Sequence, residues 1–297
     1  MKRIATTLLL LGSCAVAPEA TKDGAEVVVL GIAQDGGRPQ LGCTAACCRD
    51  LAVGDEGRVA SLAVRGDDGW LLVDATPDLP AQVRDMGALP AAIVLTHAHM
   101  GHYLGLAHLG REALGASGMP VWCSPRMADY LRGHGPWSQL VELGNIELRV
   151  FTEGVAFEAV PGVWVQATAV PHRDEFSDTH AFSLRSRSLR TLYLPDIDRW
   201  GGWPLVATAS AHDLVLLDAT FHDDGELPGR DMSLIPHPRV PDTMDRLQGL
   251  VDGGLTVGFL HLNHTNPLWD PESAEARTVA ARGYLVARRG MGWPGRE

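Results

Sequence analysis

The run Ile93-Val-Leu-Thr-His97-Ala-His99-Met-Gly101-His102 is an apolar segment that ends in three histidines, spaced two and three residues apart. Ala92 to Thr96 reads as a buried strand, and packing gives no reason to crowd imidazoles at its exit. Imidazole is the commonest protein ligand for zinc and related divalent ions. A strand exit can aim alternate side chains at one point while the following turn returns a third. Gly101 permits that turn. A lone histidine pair would read as solvated or hydrogen-bonded core residues; three in six positions read as metal ligands, with the water activation and electrophile polarisation that a bound metal supplies.

Other segments also put chemistry-bearing residues where strands end. The alternating run Val163 to Val170 leads into Pro171-His172-Arg173-Asp174-Glu175, so His172 is either a ligand or a loop histidine in a charged turn. Asp174 or Glu175 would orient it or approach the metal directly. Thr191-Leu-Tyr-Leu-Pro-Asp196-Ile-Asp198 ends a short β-rich run with Asp196 in position to ligate, while Asp198 reads as a helix N-cap before Trp200. The apolar strand Leu255 to Leu260 is followed by His261 and His264. Cys43, Cys47 and Cys48 are three thiols within six residues; with a distant histidine they make the four ligands of a closed tetrahedral zinc site. The competing reading is a disulfide, which adjacent Cys47 and Cys48 cannot easily form with each other. His237 lies between prolines that stiffen its loop, and both it and His222 are candidates to line the site. His108, His134, His180 and His212 lack clustered partners and read as structural or surface residues.

The histidine run resembles the HxHxDH signature of the metallo-β-lactamase superfamily, and the likeness extends from about Val27 to Trp293. Within that superfamily it is similar to the pyrroloquinoline-quinone biosynthesis B protein family. The matching segments are Gly31-Ile-Ala-Gln-Asp-Gly-Gly37 with Pro39-Gln40, Leu71-Leu-Val-Asp-Ala-Thr-Pro-Asp78, Tyr193-Leu-Pro-Asp196, Asp218-Ala-Thr-Phe221 and His261-Leu-Asn-His264-Thr-Asn-Pro267. The resemblance implies one α/β (α+β) domain, a four-layer αββα sandwich with metals at one edge of two face-to-face sheets. It implies that His97, His99 and His172 hold a first metal, that Asp196 bridges, and that His102 and His261 remain for a second. It assigns His264 to a structural zinc and brings His237 to the site as proton donor or extra ligand. Two departures stand out. Gly101 replaces the aspartate that usually serves the second metal, which predicts one tightly held ion and a weakened second. In related enzymes the structural site uses CxCxxC; here Cys43 and Cys48 fit the outer positions, Ala45 takes the middle one and Cys47 is off register.

Strands are expected near 26–33, 59–65, 69–74, 92–96, 120–123, 147–151, 163–170, 181–185, 191–194, 213–218 and 255–260, and helices near 79–86, 103–115, 125–133, 241–252 and 271–281. Cys123, on an apolar strand, reads as a buried small hydrophobe. Met1-Lys-Arg, then Ile4 to Leu11, then Gly12-Ser13-Cys14 has the order of a secretory leader, with an apolar stretch too short to span a bilayer. Leu11-Gly-Ser-Cys14 resembles a bacterial lipoprotein cleavage box. The expected organisation is a signal peptide over 1–13, a lipidated Cys14 with a tether over 14–25, and the domain over 26–297. A signal peptide cut elsewhere is the alternative; either takes the domain out of the cytoplasm, and the lipoprotein reading puts it on the periplasmic side of a bacterial membrane.

The 297 residues carry a formal net charge of −11, and loss of Lys2 and Arg3 with the leader deepens it. That argues against nucleic acid as a partner, since phosphate binding rests on basic surface. The related tRNA-processing endonucleases are therefore poor functional models, although Arg132, Arg173 and Arg199 remain available to a small anion. The leading expectation is an exported metal-dependent hydrolase, with zinc (or manganese or iron), acting on an ester, lactone, thioester, amide or phosphodiester. Asp196 would align the water, with His102, His237 or His261 stabilising charge or protonating the leaving group. An iron-dependent oxygenase is the second expectation, and a non-catalytic metal-stabilised binding lipoprotein, with Gly101 marking decay, the third. Nothing in the sequence sets the oligomeric state.

Overall fold

A computed structural model describes residues 25–294. The leader, Cys14 and all but the last residue of the expected tether lie outside the described residues. From the N-terminus the strands are β1 (Ala25–Gly31), β2 (Ser61–Arg65), β3 (Trp70–Val73), β4 (Ala92–Val94), β5 (Met119–Cys123), β6 (Ile146–Val150), β7 (Phe157–Val160), β8 (Val163–Ala169), β9 (His180–Arg185), β10 (Arg190–Leu194), β11 (Leu214–Asp218), β12 (Thr256–Leu260), β13 (Leu285–Val286) and β14 (Gly292–Pro294). The helices are α1 (Ala46–Arg49), α2 (Leu79–Met86), α3 (Met100–Tyr103), α4 (Pro125–Gly133), α5 (Trp137–Glu142), α6 (Leu205–Ala209), α7 (Val240–Asp252) and α8 (Ala274–Ala281).

Two seven-stranded sheets result, ordered β14-β1-β2-β3-β4-β5-β6 and β13-β12-β11-β10-β9-β8-β7. Each contains a four-strand parallel run, β3 to β6 in one and β10 to β13 in the other. The period-two alternation of side chains decides which layer each residue joins. Val27, Val29, Leu71, Val73, Ala92 and Val94 face the second sheet, in one core with Val165, Phe182, Leu192, Tyr193 and Phe259. Val28, Leu30, Leu72 and Ile93 face outward, packing with Leu79, Met127, Leu131 and Leu140 of α2, α4 and α5. On the far side α7 and α8 bury Val240, Met244, Leu247, Ala276 and Val279. The chain therefore has the four-layer αββα arrangement. Runs buried on both faces, such as Trp70–Val73, lack polar alternation because neither face meets water.

Each expected strand and helix has a counterpart except one. The helix expected over 103–115 is instead α3 followed by a 3-10 turn over Leu104–Leu109. The backbone there bends to pair with the end of β3: Ala75 N–H donates to the His102 carbonyl and Gly105 N–H to the Ala75 carbonyl. A Cβ at Gly105 would stand 2.0 Å from the Thr76 carbonyl oxygen, so only glycine allows the approach. The unexpected elements, β7, β13, β14, α1, α5 and α6, are two to six residues long. No helix among the described residues is long and apolar enough to cross a membrane.

Candidate metal centre

The parallel runs of both sheets deliver their C-terminal ends to one edge. His97 and His99 follow β4, His102 sits in α3, Asp74 follows β3, Asp196 follows β10, Asp218 ends β11 and His261 follows β12. His172 comes from the loop after β8. Three of the residues here hold left-handed backbone without being glycine: Asp74 (φ 66°), His237 (φ 79°) and His261 (φ 63°). Such conformations cost on the order of 1–3 kcal/mol each and persist where the surroundings dictate them.

Two groups of ligand atoms converge. In the first, His99 Nδ1 lies 2.8 Å from His97 Nε2 and 3.1 Å from His172 Nε2. In the second, Asp196 Oδ2 lies 3.0 Å from His102 Nε2 and 3.2 Å from His261 Nε2, and Asp35 Oδ1 lies 3.3 Å from His102 Nε2. Ligands about 2.0–2.1 Å from a tetrahedral zinc stand roughly 3.3 Å apart, so both spacings suit a metal. Asp35 Oδ1, Asp196 Oδ2, His102 Nε2 and His261 Nε2 are buried without a hydrogen-bond partner. Unpaired buried polar atoms are costly, and four that converge fit a cation better than they fit one another. Asp196 joins the groups, with Oδ1 3.7 Å from His172 Nε2.

The opposite nitrogen of each ring is tied down, which fixes its tautomer. His102 Nδ1 donates to Asp74 Oδ2 at 2.7 Å, and His172 Nδ1 to Asp198 Oδ1 at 2.8 Å. His99 Nε2 donates to Glu175 Oε2 at 2.8 Å. The Thr96 hydroxyl donates to Asp74 and accepts from His97 Nδ1 at 3.0 Å; the Thr220 hydroxyl donates to Asp218 and accepts from His261 Nδ1 at 3.0 Å. Carboxylates behind histidines are the usual outer support of a metal site.

Charge follows the same plan. Burial drives His97 and His172 toward the neutral form that binds metal. Burial opposes ionisation of Asp196, but His261, His102 and His97 outweigh it and hold its carboxyl well below the usual range. Burial likewise opposes ionisation of Asp35, which His102 and His261 overcome. His102 is held charged against burial by Asp74, Asp196 and Asp35. Both carboxylates of the centre are thus held ionised.

Cys43, Cys47, Cys48 and His264 gather on the loop side of β1 with all four ligand atoms within 4.8 Å of one another. The Sγ atoms of Cys43 and Cys47 are 4.0 Å apart and those of Cys47 and Cys48 3.9 Å. Thiolates 2.3 Å from a tetrahedral zinc stand about 3.8 Å apart, whereas a disulfide closes to about 2.05 Å. The spacing suits the metal and the cysteines are free. Burial and the neighbouring thiols push Cys47 up to about 11, a cost that a cation in the cage would remove.

His237 joins Asp196 and His261 in one possible ligand group, its Nδ1 donating to Asp218 Oδ2 at 2.7 Å. His222 donates to Asp223 instead and joins no ligand group among the described residues. Three sequence expectations change. Asp198 caps no helix, and it, not Asp174 or Glu175, orients His172; Asp174 accepts from the Thr179 hydroxyl. Glu175 serves His99. Asp35, Asp74 and Asp218 were given no role by the sequence, although each lies in a segment that carried the resemblance.

This edge-on cluster between two facing sheets is the arrangement of the metallo-β-lactamase fold, and residues 69–253 match the family model described as beta-lactamase superfamily domain. The chain is 30% identical to coenzyme PQQ synthesis protein B of Azotobacter vinelandii over 304 residues, covering 89% of this chain and 97% of that protein. It is 32% identical to the protein of the same name from Azoarcus sp., covering 90% and 98%. Among solved structures it resembles zinc-bound PqqB from Methylobacterium extorquens, with a TM-score of 0.75 and 24% identity over 89% of this chain and 98% of that one. It also resembles a diphosphatase of the PhnP family, with a TM-score of 0.65 and 21% identity over 89% and 94%. The chain belongs to the metallo-β-lactamase superfamily, in the family of the PQQ synthesis B proteins.

Proposed function

We propose that the chain is a metal-dependent hydrolase of small ester-, lactone-, amide- or phosphodiester-type substrates, tethered through Cys14 on the periplasmic side of a bacterial membrane. The carrying observation is Asp196, whose two oxygens face histidines of both ligand groups, 3.7 Å from His172 and 3.0 Å from His102. His97, His99 and His172 would hold one ion, with Asp196, His102 and His261 available to another. Zinc there supplies an acidified water and a Lewis acid for a carbonyl or phosphoryl oxygen.

The protein's own groups supply the rest. Asp196, held ionised, orients a water and takes its proton at Oδ1, the oxygen nearer His172 and His237. His237 holds a proton at Nδ1 against Asp218, which leaves Nε2 to exchange with a leaving group. Arg173, exposed and with Nη2 3.3 Å from His99 Nδ1, is placed at the mouth to meet an anionic substrate. The acidic net charge supports a small substrate over a polyanion.

The test is turnover of chromogenic esters and phosphodiesters by full-length protein, stripped by chelator and reloaded with zinc or manganese. Hydrolysis that returns with metal and is abolished in His99→Ala supports the reading; an unchanged rate in that variant removes it. The relatives named for coenzyme PQQ synthesis favour a second reading, a role in quinone-cofactor formation; since three histidines and a carboxylate can also hold iron with open positions, we give it the form of an iron-dependent oxygenase. Oxygen consumption with ferrous iron, absent hydrolysis with zinc or manganese, would favour it.

A further inference from the structure

We propose that Asp35, on the loop after β1, supplies the second metal position with the carboxylate that Gly101 withholds, so that the ligand has moved in the chain without leaving the site. This rests on the reading of the edge cluster as a metal centre.

Three observations carry it. Asp35 Oδ1 is buried, lacks a hydrogen-bond partner, and lies 3.3 Å from His102 Nε2 and 3.9 Å from His261 Nε2, both equally unpartnered. With Asp196 Oδ2 these make four donor atoms from four segments of chain, the number a tetrahedral ion wants. A Cβ built on Gly101 would stand 2.2 Å from Asp35 Oδ1 and 2.8 Å from Asp35 Cα. The side chain of an aspartate at 101 and the loop carrying Asp35 therefore claim the same space. Glycine at 101 is the condition for Asp35 to enter, so the departure from the signature is compensated. Two carboxylates and two imidazoles also balance a divalent charge better than one carboxylate would.

A purely structural Asp35, hydrogen-bonded to His102, would make the same contacts but would not set metal stoichiometry. Asp35→Asn keeps size and hydrogen bonding while removing the anion. The experiment is titration of chelator-stripped full-length protein with cobalt(II), reading the visible bands of the histidine–carboxylate sites separately from the thiolate charge-transfer band of the cysteine cage. The wild type is expected to fill two edge sites. Asp35→Asn should keep the first and weaken the second at least ~10-fold, because even outer partners of metal ligands are worth 10–100-fold. Gly101→Ala, which displaces Asp35, should do the same with Asp35 intact. A wild type with two edge ions and an Asp35→Asn variant that binds both equally well overturns the proposal. A wild type holding only one edge ion overturns it while leaving the hydrolase reading in place, and no edge ion at all overturns both.

Discussion

Asp74 and Asp218, one from each sheet, are fully buried and make matching contacts. Each takes a 2.7 Å hydrogen bond from a histidine Nδ1, His102 for Asp74 and His237 for Asp218. Each also takes a threonine hydroxyl, Thr96 or Thr220, which in turn accepts from His97 or His261. Two chemically equivalent brackets therefore hold the histidines from opposite sides, as the mirrored parallel runs of the sheets would produce. An acceptor-only carboxylate forces Nδ1 to carry the proton, so Nε2 is left to a metal.

Asp74→Asn should show what this bracket contributes. The amide can turn a donor toward His102 Nδ1 and permit the wrong tautomer, and its effect reaches His97 through Thr96. Metal affinity is expected to fall ~10–100-fold, with a larger fall for the ion on His102. Competition with a chromophoric chelator measures it, and an unchanged affinity would show that the rings are oriented by packing alone.

His172 and His99 offer a graded comparison. Asp198 is partly buried behind His172, whereas Glu175, behind His99, is 46% exposed at its side chain. Water can replace an exposed carboxylate more readily than a sheltered one. Asp198→Ala should therefore weaken the first ion by about tenfold or more, and Glu175→Ala by only a few-fold. Isothermal titration of the two variants would settle the order, and the reverse order would contradict it.

The ligands were legible because histidine is uncommon at the exit of a buried strand, and His97, His99, His102, His172 and His261 each stand at an exit or just beyond one. The brackets were not. Aspartate after a strand is an ordinary turn residue, and a sequence does not record the burial of Asp74 and Asp218 directly. Asp35 was hidden for another reason: its proximity to Gly101 depends on the path of a loop after β1. The strand-ending runs Leu71-Leu-Val-Asp74 and Leu214 to Asp218 did carry a signal, since each places an acid directly after residues buried on both faces. The fold was readable wherever apolar runs were long. It was lost in β13 and β14, too short for any period, and over 103–115, where an apolar periodicity concealed the glycine-dependent contact with Ala75.

The cysteine cage should behave independently of the edge. Cys48 is buried, and its thiol also accepts from the Gln40 backbone N–H at 3.4 Å. Cys48→Ser should lose one zinc per chain and destabilise by about 4 kcal/mol or more, the scale associated with loss of a structural metal. His97→Ala should leave that zinc in place. Metal analysis and thermal denaturation of both variants test the separation; a full zinc complement in Cys48→Ser would exclude the cage.

Glu226 gives a pH dependence outside the edge. Burial pushes its carboxyl up to about 7 from an ordinary 4.5, although His222 N–H and the Thr265 hydroxyl donate to it. The unfolded chain therefore releases this proton at lower pH than the folded one. Between about pH 4.5 and 7 the folded state binds more protons, so this group's contribution to stability falls as pH rises and then levels off. Glu226→Gln cannot ionise and keeps an acceptor for the His222 N–H, while its amide NH2 faces the Thr265 hydroxyl. The stability of the variant relative to the wild type should rise by about 3 kcal/mol from pH 4.5 to pH 8. Paired urea denaturation curves across that range measure the difference; a constant difference would show that Glu226 does not titrate in the window.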